Sequence, residues 1–162
     1  LAGIEFALRQ NYDAVLSLDA DGQHDPGEIP AFLRAYAVDR ADLIIGRRDF
    51  SSMPPVRRAS NTLGTRVLSW ALGQPVPDNQ SGYRLISRRM MQALDEPRER
   101  GFEFEVEMIL VCLLRGYRLG WVPIRTIYGD EKSHISPLRH LVKFLQVSLR
   151  ARRMIRAARS KP

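Results

Sequence analysis

The sequence predicts an α/β fold, with a mostly parallel sheet flanked by helices, and three observations carry that expectation. Apolar runs of strand length alternate with stretches of helical periodicity. Both runs end at polar or glycine positions. At 162 residues and 44% hydrophobic content, the chain is also long enough to enclose a core of its own.

The opening segment Leu1-Ala2-Gly3-Ile4-Glu5-Phe6-Ala7-Leu8 has the apolar spacing of a helix already under way and begins without methionine, so the expectation is that residues precede it. Ala14-Val15-Leu16-Ser17-Leu18 reads as a buried parallel strand. A helical pattern over Ile29 to Ala37 separates it from a second run, Asp42-Leu43-Ile44-Ile45-Gly46. Pro54-Pro55 breaks the chain before a helix from Arg57 to Leu72, which Gly73-Gln74-Pro75-Val76-Pro77 closes. Tyr83-Arg84-Leu85-Ile86 reads as a strand, Arg88 to Leu94 and Glu105 to Arg115 as helices, and Tyr117 to Ile127 as extended. Pro137 starts a last helix in which Leu138, Leu141, Val142, Leu145 and Leu149 form an apolar stripe and Arg139, Lys143, Arg150 and Arg153 face away. The expected division is therefore a domain over 1–136 and a basic amphipathic helix over 137–162.

The formal net charge of +7 is a property of the tail. Nine Lys or Arg and no acid follow Glu131, leaving 16 basic against 18 acidic residues before that point. This distribution argues against a domain-wide nucleic-acid surface and for a local anionic partner such as phospholipid. A packed helix with a solvated basic face explains the tail equally well; the alternative is an interfacial helix on an anionic membrane. Cys112, the single cysteine, lies in an apolar run, which excludes an internal disulfide and fits a buried, inert thiol in a reducing compartment. No stretch approaches the roughly 20 apolar residues that span a bilayer.

The strongest chemical signal is Asp19-Ala20-Asp21-Gly22-Gln23-His24, directly after the first strand. Ligands of open α/β sheets gather at the carboxyl ends of strands. Two carboxylates and an amide oxygen are hard ligands suited to Mg²⁺ or Mn²⁺, with positions left for phosphate oxygens. A plain turn with solvated acids is the bland alternative. A calcium EF-hand is excluded, because His24 and Pro30 stand where that loop needs glycine and glutamate.

The stretch Asp19 to Pro26 resembles the metal motif of family 2 glycosyltransferases, in particular the dolichol-phosphate mannosyltransferase-like and bacterial polyprenyl-phosphate group. Further matches are Gly46-Arg47-Arg48, Arg57-Arg58-Ala59-Ser60-Asn61, Asp78-Asn79-Gln80-Ser81-Gly82-Tyr83-Arg84, Gly101 to Met108, and Tyr128 to Ile135. The resemblance implies a GT-A-like fold lacking its first strands, with Asp19, Asp21 and Gln23 at the metal. It further implies that Arg47, Arg57, Arg58 and Asn61 hold acceptor phosphate, that Ser81 and Arg84 are substrate-binding residues on the acceptor side, and that Lys132 and Ser133 close over phosphates. Asp78 is implied to orient this group or serve as a base. Without the resemblance, Asp78 caps a turn in which Gly82 supplies a special backbone angle. Glu107 has a catalytic analogue, although an acid near a helix start commonly just complements the dipole.

What the resemblance implies is an inverting, metal-dependent transferase moving a sugar from a nucleotide-sugar donor to polyprenyl phosphate, peripheral on the cytoplasmic face of a membrane. Two other readings stay open: a family 2 transferase with a polysaccharide or other hydroxyl acceptor, and a non-catalytic module whose tail binds lipid or nucleic acid.

Overall fold

The continuous apolar run along the second strand dictates a sheet with helices on both faces, and the computed structural model has that arrangement. It describes residues 2–94, 103–125, 127 and 137–160. In chain order the elements are α1 (Ala2–Arg9), β1 (Ala14–Ser17), α2 (Ile29–Asp39), β2 (Leu43–Arg48), α3 (Pro55–Leu72), β3 (Arg84–Ser87), α4 (Arg88–Ala93), α5 (Glu103–Leu114), β4 (Leu119–Ile124) and α6 (Pro137–Arg159).

The strand order is β1-β3-β2-β4. β2 and β4 pair in parallel from Leu43↔Leu119 to Arg48↔Ile124. β3 runs antiparallel to both β1 and β2. Three of the four strands therefore point one way, and β3 is the reversed strand. The first strand differs from its expectation as a buried parallel strand. β1 is half-buried, and its ladder partner is the antiparallel β3, with Ala14↔Ser87 and Ser17↔Arg84 in register.

Leu43 and Ile45 point to the face covered by α4, α5 and α6, where Met90, Ile109, Val147 and Ala151 complete a core. Ile44 points to the opposite face with Leu85, Val122 and Phe32 of α2. Gly46 is required by the β2–β4 contact, since a Cβ there would lie 2.7 Å from Ile124 Cδ1. Asp42 staples three strands: its backbone N–H donates to Arg118 O at 2.8 Å, its Oδ2 accepts from Arg118 N at 3.0 Å, and its Oδ1 accepts from Ser87 Oγ at 3.3 Å. Ser87 in turn caps α4, its Oγ accepting from Met90 N at 3.1 Å.

Pro55 sits in the first turn of α3, where its missing N–H costs nothing, and Gly73 ends the helix in the left-handed region at φ 69°. α6 packs on α3 and α5. Its inner face is not the expected stripe. Val147, Ser148, Ala151 and Ile155 are buried, whereas Val142, Leu145 and Leu149 are 49%, 40% and 48% exposed. Leu138 and Leu141 lie where no side chain is described. Small residues at 148 and 151 let α6 approach its neighbours, and the larger apolar residues fall on the other side. Among the described residues, no helix is long and apolar enough to cross a membrane.

Candidate active site

Asp19 leaves the C-terminal end of β1 and lies against the turn that enters β3. A Cβ on Gly82 would fall 2.5 Å from both carboxylate oxygens of Asp19. Gly82 is therefore needed for clearance; the special backbone angle expected there is not present, since the positive-φ glycines among the described residues are Gly22, Gly73 and Gly116. Ser17 Oγ donates to Gly82 O at 3.1 Å and fixes that turn against β1.

His24 holds the same carboxylate from the other side. Its Nε2 lies 3.2 Å from Asp19 Oδ2, in a ring only 7% exposed. An ionised carboxylate can only accept, so Nε2 is the donor of this contact, and Nδ1 is buried without a partner among the described residues. This hydrogen bond, with the positive charges of Arg48 and Arg84 adding to it, holds the Asp19 carboxyl below the usual carboxylate range despite partial burial. Asp19 is thus ionised at neutral pH. Asp21 is exposed, and its Oδ1 accepts from Gln23 N at 3.0 Å across the turn that Gly22 permits at φ 80°.

Two carboxylates and an amide make a hard donor set that fits Mg²⁺ or Mn²⁺. Among the described residues no three His, Cys, Asp or Glu side chains gather into a metal cluster, so phosphate and water oxygens would have to fill the remaining positions.

Tyr83 joins the acidic loop to the second signature. Fully buried, it stacks on Phe32 at 4.5 Å, meets His24 edge-on at 5.1 Å, and donates its hydroxyl to Asp25 O at 3.2 Å. Burial raises its phenol above the usual range.

The Asp78-to-Arg84 stretch is built differently from a set of substrate contacts. Asp78 is 0% exposed and accepts from Arg48 Nε at 2.7 Å, Arg48 Nη2 at 2.9 Å, Arg48 N at 3.2 Å and Gln80 N at 3.1 Å. Its lone pairs are committed to Arg48 and the loop. Arg84 is also 0% exposed and donates to three backbone carbonyls: Ser81 O at 2.8 Å, Glu105 O at 2.7 Å and Asn79 O at 3.2 Å. Burial lowers its pKa to about 10, still a cation at neutral pH. Ser81 is buried, and its Oγ has no partner among the described residues. Asn61 is turned inward, its Nδ2 3.1 Å from Met53 Sδ.

Arg47, Arg57 and Arg58 are exposed, at the end of β2 and the start of α3. Arg47 and Arg58 both act on the carboxylate of Asp49, which places their charges together. Arg48, passed over in favour of Arg47 on sequence, is the arginine nearest to both Asp78 and Asp19 in effect. The signal that finds it is the need of a buried carboxylate for a bidentate partner.

An open cavity of about 230 Å³ lies beside Asp19, lined by Ser17, Gly82, Arg84, Phe104, Glu105 and Met108 among others. Glu105 faces it, whereas Glu107 lines a separate cavity between α5 and α6 with Arg115 and Arg150. Ile127 N donates to Gln23 O at 3.1 Å and so lies against the acidic loop. Lys132 and Ser133 lie outside the described residues.

Residues 1–95 match the model of glycosyl transferase family 2, and the chain belongs to that family. It is 30% identical over 137 residues to the UDP-N-acetylglucosamine–dolichyl-phosphate N-acetylglucosaminyltransferase of Methanococcus voltae, covering 80% of this chain and 54% of the relative. It is 32% identical over 145 residues to the undecaprenyl-phosphate mannosyltransferase of Micrococcus luteus, covering 82% and 58%. With the polyprenol monophosphomannose synthase of Mycolicibacterium smegmatis it shares 28% identity over 131 residues, covering 76% and 49%. The chain thus spans about half the length of the curated relatives it matches.

Proposed function

We propose that this chain carries the phosphate-handling half of an enzyme that transfers a sugar from a nucleotide-sugar donor to a polyprenyl phosphate, with inversion at the anomeric carbon and with Mg²⁺ or Mn²⁺. The observation that carries this reading is Asp19, kept ionised by His24 and seated over Gly82 beside the Arg48–Asp78 pair. The dolichyl phosphate and undecaprenyl phosphate named for the Methanococcus and Micrococcus relatives, and the polyprenol monophosphomannose named for the Mycolicibacterium one, support the acceptor class.

Asp19, Asp21 and Gln23 are the residues that would hold the ion, and its chemistry when bound is to neutralise charge on a leaving diphosphate. Arg47, Arg57 and Arg58, all exposed at the end of β2 and the start of α3, bind and orient the acceptor phosphate. A phosphate oxygen attacks the anomeric carbon, the bond to the diphosphate oxygen breaks, and that oxygen leaves with the electron pair. A phosphate nucleophile is already ionised near neutral pH and needs no base. Asp78 fits this demand, since its bidentate pairing with Arg48 makes it a positioning residue for the arginines rather than a proton acceptor. Arg84 and Ser81 act through the loop they hold, and Lys132 and Ser133 are proposed phosphate contacts. The C-terminal helix is proposed to rest on the cytoplasmic face of the membrane, where the lipid acceptor resides.

The test is transfer from a panel of nucleotide sugars to polyprenyl phosphate by the full-length protein, with and without Mn²⁺ or Mg²⁺, beside Asp21→Ala. A lipid-linked product that requires the metal and disappears in Asp21→Ala is expected. Donor hydrolysis without lipid-linked product would move the acceptor to a hydroxyl; no use of any donor would favour a binding module.

A further inference from the structure

The outer side of the α3–α6 pair exposes large apolar side chains on both helices. Val56, Leu63 and Trp70 of α3 are 84%, 59% and 52% exposed. They stand seven residues apart, nearly two helical turns, and so form one column. Asn61, Thr65, Leu68 and Leu72 fill the opposite, buried side of the helix. On α6, Val142, Leu145 and Leu149 follow three- and four-residue spacing and form a second exposed column.

Contacts between the helices bring the columns together. The Phe144 ring lies over Gly64, and the Arg152 guanidinium stands 3.8 Å over the Trp70 ring while Nη1 donates to Trp70 O at 2.6 Å. The helices therefore run side by side in the same direction, and each column lies next to that seam on the side away from the core. Arg66 falls between Leu63 and Trp70 on the same side of α3, and Arg153 and Arg156 continue the Leu149 column; all three are exposed. Neither helix contains an Asp or Glu.

We propose that α3 and α6 together form one docking surface for an anionic phospholipid bilayer. The proposal rests on the lipid-acceptor reading and extends its membrane contact from the C-terminal helix to α3. Valine and leucine side chains enter the acyl boundary, Trp70 sits at headgroup depth, and the arginines meet lipid phosphate. The absence of any carboxylate on either helix is the charge complement that selects an anionic bilayer over a neutral partner. The orientation also has chemical sense, because α3 begins at Arg57 and Arg58 and docking would lay that end beside the plane from which acceptor phosphate projects.

Partitioning onto vesicles requires no donor, metal or turnover, so the test is independent of transferase activity. The full chain is titrated with phosphatidylcholine vesicles containing phosphatidylglycerol and with phosphatidylcholine alone. Leu63→Gln with Trp70→Gln, and separately Leu145→Gln with Leu149→Gln, are expected to weaken partitioning onto the anionic vesicles about tenfold or more, with unchanged thermal melting. Neutral vesicles are expected to bind about tenfold or more weaker. An α3 variant that partitions like the parent overturns the two-helix surface even if the α6 variant is impaired, as does failure of the parent to bind anionic vesicles. Should the α3 pair fail to fold, quenching of Trp70 by brominated lipid in a Trp121→Phe background decides: quenching supports the surface, and its absence overturns it. Loss of self-association with vesicle binding intact would assign the face to a second copy and overturn the proposal.

Discussion

A carboxylate that accepts four hydrogen bonds has no lone pair aimed at a substrate proton, and Asp78 is in that condition. Asp78→Asn removes the charge opposite a half-buried guanidinium and is expected to cost about 3–5 kcal/mol of stability in urea unfolding, the range for breaking a buried pair. Asp78 as a general base would behave otherwise, with a folded, inactive Asn variant and an unchanged unfolding midpoint. Gly82 makes a second prediction. Alanine there would force Asp19 away, at about 1–3 kcal/mol for overpacking, and the cost should shrink in an Asp19→Ala background. A double-mutant cycle by urea unfolding measures this; additive costs would sink the close-approach account. Asp19, Asp21 and Gln23 were legible because they adjoin one another after an apolar run. The partner of Asp78 was not, since Arg48 lies 30 positions away and only the fold closes that distance. Nor was the Tyr83 link to His24, for an aromatic beside a strand reads simply as core.

At the scale of the element, periodicity located the α-helices among the described residues and missed which side of α6 turns inward. The helix has two apolar sets, and hydrophobicity alone favours the one with more leucine. The structure buries the other set, because α3 and α5 approach closely only where Ser148 and Ala151 leave room. Ala151→Leu is therefore expected to destabilise by about 1–3 kcal/mol by overpacking, whereas Leu149→Ala, on a side chain 48% exposed, should change stability by about 0.5 kcal/mol or less. Denaturant midpoints compare the two directly. Equal costs would mean that α6 packs through the stripe the sequence favours.

For the whole molecule, the alternation of strands and helices was readable because a buried strand is apolar throughout, yet strand direction is not encoded locally. β3 has the same apolar character as β2, yet it runs antiparallel to both β1 and β2, between which it lies. The core that results gives one property of the entire fold a measurable sign. Cys112 is fully buried in α5, and burial pushes its thiol up to about 12. The unfolded thiol ionises near its ordinary value while the folded one stays protonated, so the folded state holds more protons and stability falls as pH rises above that value. At 1.36 kcal/mol per unit, the loss attributable to Cys112 is about 2 kcal/mol between pH 9 and pH 10.5. Tyrosines and lysines titrate in the same range, and Cys112→Ala separates them: its stability should decline less steeply by that amount in urea unfolding across the window. Parallel slopes for the two proteins would mean that the thiol ionises in the folded state and that the core around α5 admits water.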